Sequence, residues 1–205
     1  MIPIYTAVED RLSAAVVERL LGETDGKLSI GVAIPPRGAG DLKKKLPELV
    51  RLAPNVPVIL LTDLDCKECA PSLIGEWLGQ QAKPDALLFR VAVREVETWL
   101  LADKQNFASF AGIPPAKLPE SPEDLDDPKQ MLLNLVARHS PSSLRQDIVF
   151  DRGSGPRQGL VYNERLGQFV HTCWDPAQAS MRADSLARTR RRIGELAAHN
   201  GTRNA

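Results

Sequence analysis

The chain has 205 residues, and its 26 basic and 26 acidic side chains cancel to a formal net charge of zero. That balance excludes a broadly cationic coat as the means of gripping nucleic acid and leaves the task to local patches or metal ions. A composition of 43% hydrophobic and 25% charged residues is that of an ordinary globule, and no stretch approaches the ~18 apolar residues that cross a bilayer. Residues 1–10 lack the basic start of a signal peptide, and three cysteines do not make a disulfide scaffold. One domain with an appendage, in a reduced cytoplasmic setting without a membrane, is the expectation.

In chain order, residues 2–8 read as a short buried strand. From Glu9, apolar residues at Leu12, Ala15, Val16, Leu20 and Leu21 have helical spacing, stopped by Gly22. Residues 27–34 read as a second strand, ended by Pro35 and Pro36. A lysine-bearing helix follows from Gly38 to about Leu52. Residues 57–62 are wholly apolar up to Thr62, as in a central parallel strand covered on both faces. A helix at about 71–81, a strand at 86–93 and a helix at 94–102 complete the alternation. This rhythm predicts an α/β layer with a mainly parallel sheet over residues 1–104. The rhythm then changes. Residues 112–128 are rich in proline and acid and read as a loop, and helical patterns return at about 129–139, 161–172 and 182–198. Residues 105–205 are therefore expected to form a mostly helical extension packed on the layer.

Acids gather where the predicted strands end. Asp63 and Asp65 follow the apolar run, and strand period two places them on one side, at the sheet edge where parallel folds bind ligands. Two such carboxylates repel unless they share a cation, and Mg²⁺ is the economical choice. The alternative is a turn or a helix cap. Glu9 ends the first strand, with capping as its plain role. Glu95 and Glu97 follow the fourth strand beside Arg94, which stands to pair with Glu97. Three of four strands thus deliver acids to one edge, the pattern of a metal-dependent phosphoryl-transfer site.

These residues resemble the TOPRIM fold of topoisomerases, primases and small nucleases, whose marks are a Glu after strand one and a later Asp-x-Asp. The chain is more closely similar to the TOPRIM-like group called domain of unknown function 4276. That likeness lies in residues 8–10, 61–65, 94–103, 127–129, 162–170, 174–176 and 185–186, nearly the whole chain, with 94–103 its most specific piece. The resemblance implies Mg²⁺ (or Mn²⁺) held by Asp63 and Asp65, with Glu9 as base or ligand and Glu95 or Glu97 as a second-cation ligand. It implies a metal-dependent phosphodiester hydrolase, a nuclease on RNA or DNA, with an AAA- or ABC-type ATPase partner in a defence or toxin module. A non-catalytic TOPRIM-like subunit of such an ATPase is the alternative. Asp10 stands where TOPRIM enzymes commonly carry Gly, so either the turn differs or Asp10 adds a ligand.

Basic residues supply candidate nucleic-acid contacts at Lys67, Arg94, Arg188 and Arg191, the last two within the run 188–192. Lys43, Lys44 and Lys45 read as a solvated helix face. The loop from Arg152 to Arg157 lacks the setting of a P-loop. Cys66 and Cys69 lack the second pair that a zinc ribbon needs. Trp77, Trp99 and Trp174 read as packing residues.

Overall fold

The computed structural model describes residues 1–151, 153 and 155–199. Strand β1 (Ile2–Val8) leads through α1 (Arg11–Gly22) to β2 (Leu28–Ile34), then α2 (Ala39–Leu52), β3 (Val58–Asp63), α3 (Ala70–Leu78) and β4 (Leu87–Ala92). The four strands lie in the order β2-β1-β3-β4 and every pairing is parallel. The fold is an α/β sheet flanked by helices, as the alternation predicts.

The strand order has a mechanical consequence. From β1 the chain steps outward to β2, then returns past β1 to β3 and β4. Parallel connections are right-handed almost without exception, so this reversal transfers the connecting helices to the other face. There, Leu46 and Leu49 of α2 and Leu73 of α3 close a buried cluster on Ala7, Val58, Leu60 and Phe89. Helix α1 packs on β1 and β3, and Leu12, Val16, Ile59 and Leu61 are fully buried. Burial of β3 at every position before Asp63 explains its unbroken apolar run.

Two local features set the ends of these elements. Helix α1 begins after Asp10, whose extended backbone (φ −142°) lets its side chain accept from the Ser13 N–H at 2.7 Å. The cap therefore belongs to Asp10, and Glu9 stays outside the helix that the spacing starts at Glu9. An extended φ needs no glycine, so the aspartate fits this turn without strain. In β2, Gly31 is the extra residue of a bulge opposite Ile4 and Tyr5. A Cβ there would stand 2.8 Å from the Pro3 Cβ.

Contacts along the chain define two compact units, residues 1–93 with the described residues from 187 onward, and residues 94–186. The second contains α4 (Glu97–Ala102), α5 (Lys104–Ala111), α6 (Pro128–His139), α7 (Ser142–Ile148), α8 (Tyr162–Thr172) and α9 (Pro176–Ser180), and α10 (Asp184–His199) starts within it. A two-stranded antiparallel hairpin joins β5 (Val149–Phe150) to β6 (Arg157–Gln158). The helix predicted from residue 94 begins only at Glu97, because Arg94 is left-handed (φ 59°). Two 3₁₀ turns, Pro115–Lys117 and Pro122–Asp124, interrupt the predicted loop. Elements α7, α9 and the hairpin are too short for periodicity to reveal. Of the loop 152–157, Arg152 and Ser154 lie outside the described residues.

Trp99 and Trp174 form the centre of this unit, both buried. The Trp99 indole donates to Ser185 Oγ at 2.7 Å and the Trp174 indole to the Trp99 carbonyl at 3.1 Å. Trp77 belongs to the first unit and packs on Phe89. Replacing Gly31 with Ala should cost about 1–3 kcal/mol, as overpacking does, measured as a lower urea midpoint at unchanged slope.

Candidate functional site

Val8 of β1 lies in register with Leu61 of β3, and the chain leaves these neighbouring strands toward opposite edges of the sheet. In open parallel sheets a ligand sits beyond the carboxyl ends at such a reversal, where the departing connections leave a crevice. Glu9 and Asp10 follow β1, Asp63 closes β3 and Asp65 lies two residues beyond. The structure thus brings the predicted acids of the first unit to one edge.

Glu9 is drawn across the gap between the two strands. Its Oε1 accepts a hydrogen bond from Thr62 Oγ1 and another from the Asp63 N–H at 3.3 Å. Burial pushes the Glu9 carboxyl above its ordinary range. The Thr62 and Asp63 bonds work against that rise, and the charges of Asp65 and Asp10 add to it. A half-buried carboxylate among like charges favours a proton or a cation.

Asp65 reaches the edge by a turn. The Leu64 N–H donates to the Ala92 carbonyl at 2.9 Å and the Leu64 side chain is buried. The chain then reverses through Asp65 in a left-handed conformation (φ 50°), which aspartate tolerates better than most residues. Asp65 is exposed. The strand ends at Asp63, so strand alternation does not govern where Asp65 points.

A cavity of about 490 Å³ opens at this edge between the first turn of α2 and residues 62–67, with Asp63, Asp65, Lys43 and Lys67 in its wall. Lys43 and Lys67 both pair with Glu76 of α3, at 2.8 and 2.7 Å. These two ammonium groups hold the Glu76 carboxyl down at about 2. Exposed pairs contribute little to stability; what they do here is keep two cations beside the acids. Cys66 and Cys69 are exposed in the same turn.

Glu95 and Glu97 lie in the second unit and meet Lys129. The Lys129 N–H in the first turn of α6 donates to Glu95 Oε2 at 2.8 Å, and its Nζ stands 3.3 Å from Glu95 Oε1 and 3.4 Å from Glu97 Oε1. Tyr162 donates to Glu97 Oε1 at 2.8 Å. Of the two glutamates, Glu97 is the inward one: its side chain is 1% exposed and its Oε2 has no hydrogen-bond partner. Burial pushes its carboxyl up to about 7, against the pull of Lys129. A cleft of about 620 Å³ runs beside Glu95 and Lys129.

Arg188 and Arg191 are exposed on α10, and Arg191 lies 3.8 Å from Glu195. Arg94 occupies the left-handed turn after β4. Thr62, Glu76, Lys129 and Tyr162 carry much of the local chemistry without having been assigned a role from sequence, and Lys43, read as part of a solvated helix face, lies in the cavity wall and pairs with Glu76. One sign is readable afterwards: Asp127 caps α6 through the Gln130 N–H at 2.7 Å, and an Asp-Pro start marks a helix whose first amides seek a carboxylate. Among the described residues, no three His, Cys, Asp or Glu side chains stand close enough to close around a metal ion, and no helix is long and apolar enough to cross a membrane. No family model, curated protein or solved structure matches the chain.

Two outcomes are expected. Because Glu97 holds its proton more tightly folded than unfolded, its contribution to stability is full below pH 4.5 and is lost as pH rises to about 7. At ~1.4 kcal/mol per unit that is about 3 kcal/mol at most; urea melts across this window should show the slope, and Glu97→Gln should flatten it. Thr62→Val removes a donor from Glu9 at constant shape. Its carboxyl should then titrate at higher pH in a carbon-13 NMR titration.

Proposed function

We propose that the chain is a metal-dependent phosphodiester hydrolase, a nuclease of the TOPRIM type acting on RNA or DNA. The observation that carries this reading is the Glu9 carboxylate, drawn to the end of β3 by Thr62 and Asp63 and raised by burial and by Asp65 and Asp10. A hard divalent cation, Mg²⁺ or Mn²⁺, would relieve that crowding. The donors present suit it: Mg²⁺ takes one or two carboxylates and leaves its remaining positions to water and substrate phosphate, so a closed protein cage is not needed.

Asp63 and Asp65 would hold the ion, with Glu9 beside them. When bound, the ion supplies Lewis-acid stabilisation of charge on the phosphoryl oxygens and makes water a better nucleophile. Glu9 Oε1 is committed to Thr62 and Asp63, so a proton from water would be taken on Oε2. A carboxylate raised toward neutrality is the better base for that purpose. Lys43 and Lys67, steadied by Glu76, flank the cavity where non-bridging oxygens would lie. Glu95 and Glu97 are not assigned to a cation: both oxygens of Glu95 face Lys129, and Glu97 is sealed from solvent.

The family resemblance supports an AAA- or ABC-type ATPase partner in a defence or toxin module. A second reading, a non-catalytic subunit of such an ATPase, is favoured by one observation: the described acids are not gathered tightly enough to enclose an ion. Labelled RNA and DNA incubated with Mg²⁺ or Mn²⁺ separate the two. Cleavage should fall about a hundredfold or more in Asp63→Asn and Asp65→Asn, a loss of several kcal/mol of charge stabilisation. Asn tolerates the left-handed turn at position 65, so loss there reports the missing charge. Absent cleavage together with no saturable divalent site by calorimetry would overturn the hydrolase reading.

A further inference from the structure

A group of basic residues separate from the acid edge lies along β4 and α10. On α10, residues 188, 191, 192 and 195 recur at i, i+3, i+4 and i+7 and so share one face. Arg188, Arg191 and Arg192 are exposed there, whereas Thr189, Ile193 and Ala197 are buried. Strand β4 adds Arg90, whose Nε donates to Thr189 Oγ1 at 3.4 Å. Arg90 is in register with Leu61, and Ala92 with Asp63. Arg90 therefore sits two residues, about 7 Å, from the carboxyl end of the sheet. From there α10 runs toward the opposite edge. At that edge Arg192 and His199 border a cleft of about 760 Å³ walled by Asn55, Pro57 and Asp85.

The cations in this group act on one another. Arg90 is held below its ordinary value first by burial, then by Arg192, Arg191 and Arg188. Lys83, whose Nζ donates to the Leu87 carbonyl at 3.1 Å, is lowered by burial and by Arg192 and Arg90, against Asp85. Glu195 pairs with Arg191 and Arg192 and only partly offsets them. Arg90 and Lys83, disfavoured as cations by burial and by their basic neighbours, would be favoured again beside a polyanion.

We propose that Lys83, Arg90, Arg188, Arg191 and Arg192 form a cationic rail that holds the phosphodiester backbone of a nucleic-acid duplex. The proposal rests on the reading of the chain as acting on a phosphodiester polymer, and it adds where that polymer lies. Charge complementarity selects the occupant. A duplex presents one negative charge per ~1.7 Å, and four of the five cations are arginines, whose planar forks match phosphate oxygens. An anionic membrane surface fits less well, because the exposed large apolar residues among those described are Met1, Val32, Phe150, Leu160 and Met181, none on α10 or β4. The rail also lacks exposed aromatic platforms of the kind on which single strands stack.

The test is equilibrium binding of short fluorescein-labelled DNA and RNA duplexes to the full chain, by anisotropy in EDTA so that cleavage plays no part. The triple variant Arg188→Ala, Arg191→Ala, Arg192→Ala changes only exposed helix positions, and its circular dichroism should match the wild type. Its affinity is expected to fall about tenfold or more at low salt, with a log–log salt slope shallower by about 2–3. Glu195→Gln should tighten binding about twofold to fivefold by freeing two arginines. Unchanged affinity in the triple variant overturns the rail. So does wild-type binding to phosphatidylserine vesicles or polyglutamate as tight as to the duplex. If the wild type binds through the rail yet cleaves nothing, the hydrolase reading fails and the rail stands. If cleavage depends on Asp63 but the triple variant keeps the wild-type KM, the hydrolase reading stands and the rail fails.

Discussion

The carboxylate of Glu9 is the constraint on which the acid edge depends. Its position follows from the sheet order: only because β3 returns to lie beside β1 does a residue at position 9 meet residues 62 and 63. Burial and the neighbouring acids oppose its charge, and the hydroxyl of Thr62 with the amide of Asp63 partly restores it. A carboxylate balanced in this way is responsive. A small change in local charge, from a proton, a cation or an arriving phosphate, shifts it more than it would shift a solvated glutamate.

The two units handle buried acid differently. At the sheet edge the acids remain partly open to solvent, and the nearby Lys43 and Lys67 are both joined to Glu76. In the second unit, Lys129 lies directly between Glu95 and Glu97, and Tyr162 satisfies one Glu97 oxygen while the other is left without a partner. Leaving a buried acceptor unsatisfied costs more than a typical hydrogen bond returns, and raising its proton affinity is the least costly response.

The sheet and its edge were legible because their causes are local. An unbroken apolar run must be covered on both faces, and prolines mark the end of β2 and the approaches to β3 and β4 at Pro35, Pro57 and Pro84. Acids at strand ends could be placed at the carboxyl edge from the alternation alone. What escaped depended on single dihedrals or on distant partners. The left-handed backbone of Arg94 delays α4, and that of Asp65 takes the chain out of strand geometry; neither residue type announces it, since aspartate and arginine usually occupy other regions. Asp10 took the cap that the spacing left open to Glu9. The ion pairs of Lys43 and Lys67 with Glu76, and of Lys129 with Glu95, join residues whose proximity exists only after folding. Arg90 reads in isolation as a polar interruption of a strand. Its meaning depends on a helix about a hundred residues later that reaches it through Thr189.

The chain departs from the sheet-bearing unit after residue 93 and rejoins it at residue 187. The second unit is therefore contiguous in sequence, and the first is not. During synthesis the residues of 94–186 are all present before the last helix emerges, so that segment has every one of its own contacts available first. The sheet-bearing unit, although begun earlier, is complete only once the residues from 187 onward are made. Until then Arg90 of β4 lacks the Thr189 hydroxyl that accepts from it in the folded chain.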